Sequence, residues 1–323
     1  MRAVFLGALF GAALMGGATQ AQDFKPSRPV EIVVHTGAGG GTDAFARAML
    51  TALRKDNALP ANFVVVNKTG GGSTAAMNYL REKAGDNHTV AIYSSVWVTD
   101  SLTQEAATMT IDKLTPIAAL VLEPALLVVK ADSPHKSLKD FVEAARAKPG
   151  QLKQSGGSVT ARDAVVRHVL MNNTKTEWSF VSFPSGGERV SALLGGHVDI
   201  MMIEPSEAGE LIRAGRLRAI AQIADQKIDG FPDVPTLQEA GFNVPNVPQS
   251  RGVVGPPDMP KDAVDYYAAL IKRWSESPAY REYLRATQLE NAYQDPAGLK
   301  TFLTSYADTL RNILKGAGVK VVR

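Results

Sequence analysis

VVHTGAGGGTDAFARAML (residues 33–50) sets Gly37, Gly39, Gly40 and Gly41 between an apolar run and a stretch with helical spacing. Residues 30–34 are almost continuous in Val and Ile, the composition of a buried strand. Beyond the glycines, Ala44, Phe45, Ala48, Met49, Ala52 and Leu53 recur as on one face of a helix. Thr42 stands where a cap belongs, and Asp43 precedes Arg47 by four residues. Strand, glycine turn and helix in this order make an anion site, because unpaired N–H groups and the helix dipole point the same way. The turn is neither a dinucleotide fingerprint, since Thr42 stands where the third glycine is required, nor a P-loop, since no Gly-Lys-Ser/Thr follows. By itself it is also compatible with tight helix–strand packing.

Outward from this point the alternation continues. Strand 63–66, turn NKTGGGS (67–73), helix 74–84 and strand 89–93 follow, with Ser94-Ser95-Val96-Trp97 ending the third strand. Short loops between alternating strands and helices predict an α/β fold with a parallel, doubly wound sheet. PIAALVLEPALLVVK (116–130) is a long apolar run broken by Pro124, and predicts a crossing into a second unit. Ser137 and Asp140 open helix 138–147, and Pro149-Gly150 close it. LKQSGGSVTARDAVVRHVLMNN (152–173) then repeats the strand, glycine turn and helix of the opening stretch. Further strand–helix pairs run to about 223, residues 228–260 read as loop, and the tail reads as mostly helical, with Asp295-Pro296 opening its last helix. Ligands of open α/β sheets bind beyond the carboxyl ends of the strands. Two facing units of this kind would close two helix N-termini on one anion.

The remaining composition narrows the function classes. Cysteine is absent, so there is no disulfide, thiol nucleophile or lipidated cysteine, and the net charge of +3 without a Lys/Arg run offers no nucleic-acid footprint. His35, His88, His135, His168 and His197 are scattered without metal-ligand spacing, and no serine–histidine–acid set or Gly-x-Ser-x-Gly elbow stands out. Neither a cofactor nor a metal is called for. The N-terminus is a positive start at Met1-Arg2, an uncharged apolar and glycine stretch over 3–18, and small residues at Thr19 and Ala21. That predicts a signal peptide over 1–21 cleaved after Ala21, rather than a membrane anchor of about 20 apolar residues. The expectation is a soluble, periplasmic protein with two domains over residues 22–323.

The spaced series GAGGGTDAFAR, VVNKTGGGS, ADSPHKSLKDFVEAARAKPGQL, SGGSVTARDAVV, LLGGHVDIM, AGRLRAIA and FPDVPTLQEAGF covers the whole exported chain. It resembles the periplasmic solute receptors of tripartite tricarboxylate transporters, the Bug-type receptors. The resemblance implies a two-lobed Venus-flytrap fold, each lobe a doubly wound sheet flanked by helices. Lobe 1 would be discontinuous, 22–123 and 254–323, and lobe 2 would span 124–253, with hinge strands near 120–128 and 250–255. It also implies that two glycine loops hold ligand carboxylates through backbone amides and bridging waters. Carried over, these are Gly39, Gly40, Gly41, Thr42 and Asp43, opposite Gly156, Gly157, Ser158, Val159 and Thr160. Ser94 and Ser95 match a small polar pair lining the cleft, and Glu204 a position facing the ligand from the second lobe. Two positions depart from the family: His35-Thr36 stand where many members carry Pro-Phe or Pro-Tyr, and Arg251 replaces an aromatic residue.

The expected function is capture of a small carboxylate, a di- or tricarboxylate or an aromatic acid, by a monomer that delivers it to membrane transporter subunits. Two alternatives stay open. One is an exported α/β hydrolase-like enzyme using the glycine loops as an oxyanion site. The other is a carboxylate sensor for a signalling partner.

Overall fold

A computed structural model describes residues 24–55, 59, 62–105, 107–224, 227–244, 246–316 and 318–323. The signal peptide expected over 1–21 lies outside them. The chain forms two mixed sheets flanked by helices. In the first, β1 (Val30–Val34), β2 (Phe63–Asn67) and β3 (Thr89–Ser94) run parallel. Beside them lie β4 (Thr115–Glu123), β10 (Gln249–Gly255) and β11 (Glu290–Gln294), giving the order β11-β4-β10-β3-β1-β2. The second sheet, in the order β7-β6-β8-β5-β9, takes β5 (Ala125–Lys130), β6 (Lys153–Gly156), β7 (Ser179–Ser182), β8 (Ile200–Ile203) and β9 (Leu217–Ile223).

The alternation of elements predicts an all-parallel sheet, and three strands break that rule: the edge strand β11, antiparallel to β4, and two others that share one reason. β10 is antiparallel to β3 and β4, and β5 is antiparallel to β8 and β9. Each enters its sheet from the other one. The parallel strands run toward the junction between sheets, so a strand arriving from that junction must run away from it. Pro124 separates β4 from β5 and has no N–H to give a ladder, which suits a residue between two sheets. On the return, β10 lies whole in the first sheet from Gln249 onward.

Helix α1 (Gly41–Lys55) buries Phe45, Ala46, Met49, Leu50 and Leu53. The face is one position round from the expected stripe, because Ala44 and Ala48 are small enough to sit toward solvent while Leu50 is not. The expected Ser137–Asp140 capping box opens α4 (Leu138–Ala147). Two elements depart from the sequence reading. The third strand ends at Ser94, and Ser95 begins α3 (Ser95–Thr103), whose first eight residues are all buried. A helix buried all round shows no 3.6-residue period to read. β11 (ENAYQ) is a polar edge strand without apolar alternation, lying where the sequence reads as helical tail. Helices α2 (Thr74–Glu82), α5 (Arg162–Thr174), α6 (Gly186–Leu194), α7 (Pro205–Arg213), α8 (Lys261–Glu276), α9 (Pro278–Thr287) and α10 (Pro296–Gly316) complete the layers.

The aromatic core beneath the first sheet joins Phe45, Tyr267, Trp274 and Tyr280. A second cluster runs without interruption from Tyr93 and Trp97 through α10 (Leu299, Leu303, Leu310, Leu314) to Phe141, Val165 and Trp178 of the other unit.

Candidate ligand-binding cleft

The carboxyl ends of both sheets' parallel strands meet at a cleft of about 440 Å³. The N-termini of α1, α3, α5 and α7 gather round it, because each of these helices follows directly on a strand that ends there. Of the first loop, Gly41 and Thr42 form the wall, whereas Gly39, Gly40 and Asp43 do not line it. Of the second, Gly157 and Ser158 line it, and Gly156, Val159 and Thr160 do not; Val159 is turned to solvent, 71% exposed. Ser94 and Glu204 are on the wall, while Ser95, buried, is not. His35 and Arg251, the two departures from the family pattern, both line the cleft.

The first loop is wired so that its own groups consume some of its donors. Gly40 N–H donates to Gly37 O at 3.0 Å, and Gly39 N–H to Asp43 Oδ2 at 3.0 Å. Asp43 N–H donates to Thr36 Oγ1 at 3.2 Å, so Thr36, rather than Thr42, serves the helix start. Burial pushes the Asp43 carboxyl up, but hydrogen bonds from Arg47, Gly39 and Asn67 together hold it below its ordinary value. Asp43 is thus the acid that ties the loop together. The N–H groups of Gly41 and Thr42 have no partner among the described residues, and both residues line the cleft.

The second loop differs. Gly157 N–H donates to Asp163 Oδ2 at 2.8 Å, and Ala164 N–H to Asp163 Oδ1 at 2.9 Å. Burial raises the Asp163 carboxyl, with Arg189 opposing. The protein's own carboxylate therefore occupies one amide that was expected to meet the ligand; Ser158 N–H is left without a partner among the described residues. Across the cleft, burial raises the Asp100 carboxyl of α3, and the hydroxyls of Ser73 and Thr160 are among the groups opposing the rise. Thr160 Oγ1 also lies 3.1 Å from Ser158 Oγ within its own loop.

Between the loops lies a charged network that the sequence did not announce. Arg251 Nε donates to Glu123 Oε1 at 2.5 Å, with both side chains buried, and its NH1 donates to Thr42 Oγ1. Burial works against the Arg251 charge, but Glu123 more than restores it and holds the guanidinium above its ordinary value. Gln249 Nε2 donates to Glu123 Oε2 at 2.5 Å and to Glu204 Oε1 at 3.0 Å, joining the two sheets. Arg189 stands 3.5 Å from Asp163 and 3.4 Å from Glu207. Arg162, fully buried, donates to the carbonyls of Glu123 at 2.7 Å and Ile223 at 3.3 Å, the last residues of β4 and β9. A signal existed for two of these groups: Arg162 opens the helix after the second glycine loop, and Glu207 follows Glu204 in the first turn of α7. Arg189, Gln249 and Glu123 come from distant segments and carried none.

His35 is fixed by Trp97, whose indole Nε1–H donates to His35 Nδ1 at 3.0 Å. An indole N–H only donates, so Nδ1 must accept and a neutral ring carries its proton on Nε2. Burial, assisted by the Arg251 charge, lowers the His35 pKa to about 3, so the ring is neutral. Nε2–H then points to Ser94 Oγ, 3.4 Å away, at the cleft wall. Among the described residues, no three His, Asp or Glu side chains are placed to hold a metal ion.

Residues 45–319 match the tripartite tricarboxylate transporter family receptor. A Cupriavidus necator protein described as the UPF0065 protein in the gbd 5′ region is 28% identical over 313 residues, covering 97% of this chain and 94% of its own. Bordetella pertussis BugT is 26% identical over 223 residues, 68% of each chain. Among solved structures, the periplasmic binding protein BugD superposes with a TM-score of 0.84 at 22% identity, over 91% of this chain and 99% of that one. MatC from Rhodopseudomonas palustris, with bound malate, gives 0.82 at 24% over 90% and 99%. An R. palustris protein with adipate gives 0.85 at 22% over 91% and 98%. These likenesses establish the two-lobed periplasmic-binding-protein fold.

Proposed function

This chain belongs to the tripartite tricarboxylate transporter receptor family, and from that premise we propose that it captures a small organic carboxylate in the cleft and delivers it to a membrane transporter. The family and the fold are those of periplasmic solute-binding receptors. The observation that carries the reading is the set of open donors on facing loops: Gly41 and Thr42 N–H on one side and Ser158 N–H on the other. Each belongs to a helix N-terminus or the loop leading into one, where partial positive charge favours an anion. The malate and adipate of the related structures belong to the same chemical class.

The hydrolase alternative is disfavoured by one contact. A histidine base must accept the serine proton at Nε2, but the Trp97 bond leaves His35 Nε2 protonated. On this reading the protein is a receptor and not an enzyme, and it acts as a monomer. The lobes divide at Pro124 and ahead of Gln249, and the ligand contacts are Gly41, Thr42, Ser94, Ser158 and Glu204. A thermal-shift screen of aliphatic and aromatic carboxylates tests it, with stabilisation of about 2.7 kcal/mol at a hundredfold excess over Kd. Absence of any stabilising acid would overturn the reading. Export is read separately: N-terminal sequencing of protein from the periplasm should begin at or near Gln22.

A further inference from the structure

Trp97 brings a fixed donor to the back of the cleft wall. It lies on α3, fully buried, and its carbonyl accepts from Ser101 Oγ at 2.7 Å. Its indole Nε1–H donates to His35 Nδ1 at 3.0 Å, and the two rings meet edge to face, 5.9 Å apart at 86°. With Nδ1 so occupied, the neutral imidazole carries its proton on Nε2. That proton is loosely held within the protein: Ser94 Oγ lies 3.4 Å away, beyond the ~3.2 Å limit of an ordinary N–H···O bond. Both His35 and Ser94 line the cleft. The charged groups round the same cavity are Arg251 on β10, Arg162 and Asp163 on α5, Arg189 on α6, and Glu204 and Glu207 at the start of α7. Arg251 is committed to Glu123, and its charge disfavours a second cation at His35.

Resting on the reading of the cleft as a carboxylate site, we propose that His35 contacts the ligand and that Trp97 is its positioning residue. Trp97 fixes the imidazole as a neutral ring that donates Nε2–H to a ligand carboxylate oxygen, so the contact forms without uptake of a proton. A histidine free of this restraint, met by a carboxylate, would gain a proton and change its charge. His35 stands where many members of the family carry proline, which has no side-chain donor, so the contact is a property of this chain.

NMR of isotope-labelled histidine in the unmodified protein tests the ring first. Between about pH 5 and 8, Nδ1 of His35 should give the signal of an unprotonated nitrogen and Nε2 that of an N–H. A proton on Nδ1, or an imidazolium in that range, would overturn the proposal. Calorimetric titration with malate, adipate and benzoate, in buffers of different ionisation enthalpy, then reads affinity and proton uptake together. His35→Gln keeps an oxygen for Trp97 and an N–H that reaches as far as Nε2, and should bind within about threefold of wild type. His35→Asn keeps the acceptor for Trp97 but withdraws the outer donor, and should bind about ten- to a hundredfold more weakly. Trp97→Phe frees Nδ1 to take a proton, so at about pH 6 its binding should take up more protons than that of the wild type. The comparison with wild type cancels the contribution of Glu207, and melting temperatures report that each variant is folded. If Trp97→Phe does not fold, the contrast between Asn and Gln decides alone. Equal affinities for Asn and Gln, or unchanged proton uptake in a folded Trp97→Phe, would mean that the bond only satisfies a buried indole N–H. Either result overturns the proposal and leaves the carboxylate receptor standing. Binding of none of the three acids would remove the receptor reading and this one together.

Discussion

Glu207 shows how a single side chain makes this cleft sensitive to pH. Burial first, and then the charge of Glu204, push its pKa from 4.5 to about 7, with Arg189 and Arg251 pulling it down and Glu123 adding to the rise. The native state therefore keeps a proton between pH 4.5 and 7 that the unfolded chain has released. Stability from this group is accordingly full below pH 4.5 and is lost as pH rises toward 7. Urea melts of wild type across that window should fall by on the order of 1–3 kcal/mol, after allowing for the same trend from Asp163. In Glu207→Gln the fall should shrink, since the amide has no proton to lose; an unaltered slope would assign the effect elsewhere. None of this was readable from sequence. Glu204 was placed through its likeness to the family, but Glu207 acquires its character from Arg189 on α6, Arg251 on β10 and Glu123 on β4, which only the fold assembles.

The loops that open α1 and α5 look alike in sequence and differ in what surrounds them. A Cβ at Gly41 would stand 2.8 Å from Arg251 NH2 and 2.9 Å from Glu207 Oε1, whereas one at Gly157 would meet only Ala161 Cβ at 3.7 Å. Gly41→Ala must therefore displace charged groups from opposite lobes, at about 1–3 kcal/mol in stability. Gly157→Ala should cost under about 0.5 kcal/mol, or even stabilise slightly by stiffening the unfolded chain. Chemical denaturation of the pair checks the ordering, and equal losses would mean that the Arg251–Glu207 approach is not constraining. Between β4 and β10 the buried Arg251–Glu123 pair makes a second element-scale case. Arg251→Met leaves Glu123 buried with Gln249 as its remaining side-chain donor, and should cost about 3–5 kcal/mol. The double variant Arg251→Met, Glu123→Gln should recover much of that loss, since neither partner is then left as an unpaired charge; additive losses in the denaturation midpoints would show no coupling. Local signals made the strand–glycine–helix units and the Pro124 crossing legible, because each is written in consecutive residues. Helix α3 was not legible, since SVWVTDSL is buried on every side and carries no period. The sense of β5 and β10 was not legible either, because it depends on where the chain re-enters a sheet.

At the scale of the molecule, the two lobes are joined by one continuous apolar cluster through α10. Beside that cluster lies the crossing at Pro124, and Arg162 ties it to the end of β9 in the second sheet. From the first turn of α5, at the cleft wall, its guanidinium takes the carbonyl of Glu123 just before Pro124 and that of Ile223, where β9 ends. Its Nε is buried without a partner, and burial lowers its pKa, with the Glu204 carboxylate first among the charges that oppose the fall. A ligand drawn to the N-terminus of α5 would thus act on the side chain that ties the Pro124 crossing to β9. Arg162→Met keeps the length of the side chain and removes every donor, leaving two buried carbonyls short of a partner at about 1–3 kcal/mol each. If Arg162 couples the lobes, the variant should still bind a carboxylate, but with a smaller fall in radius of gyration on solution scattering than the wild type shows. Its calorimetric melt should broaden or divide as the two units cease to unfold together. A single sharp transition, displaced to lower temperature and accompanied by full ligand-induced compaction, would mean that Arg162 only stabilises the fold. In that case the continuous cluster through α10 would be what transmits closure, and substitutions at Leu303 or Leu310 would be the ones to uncouple it.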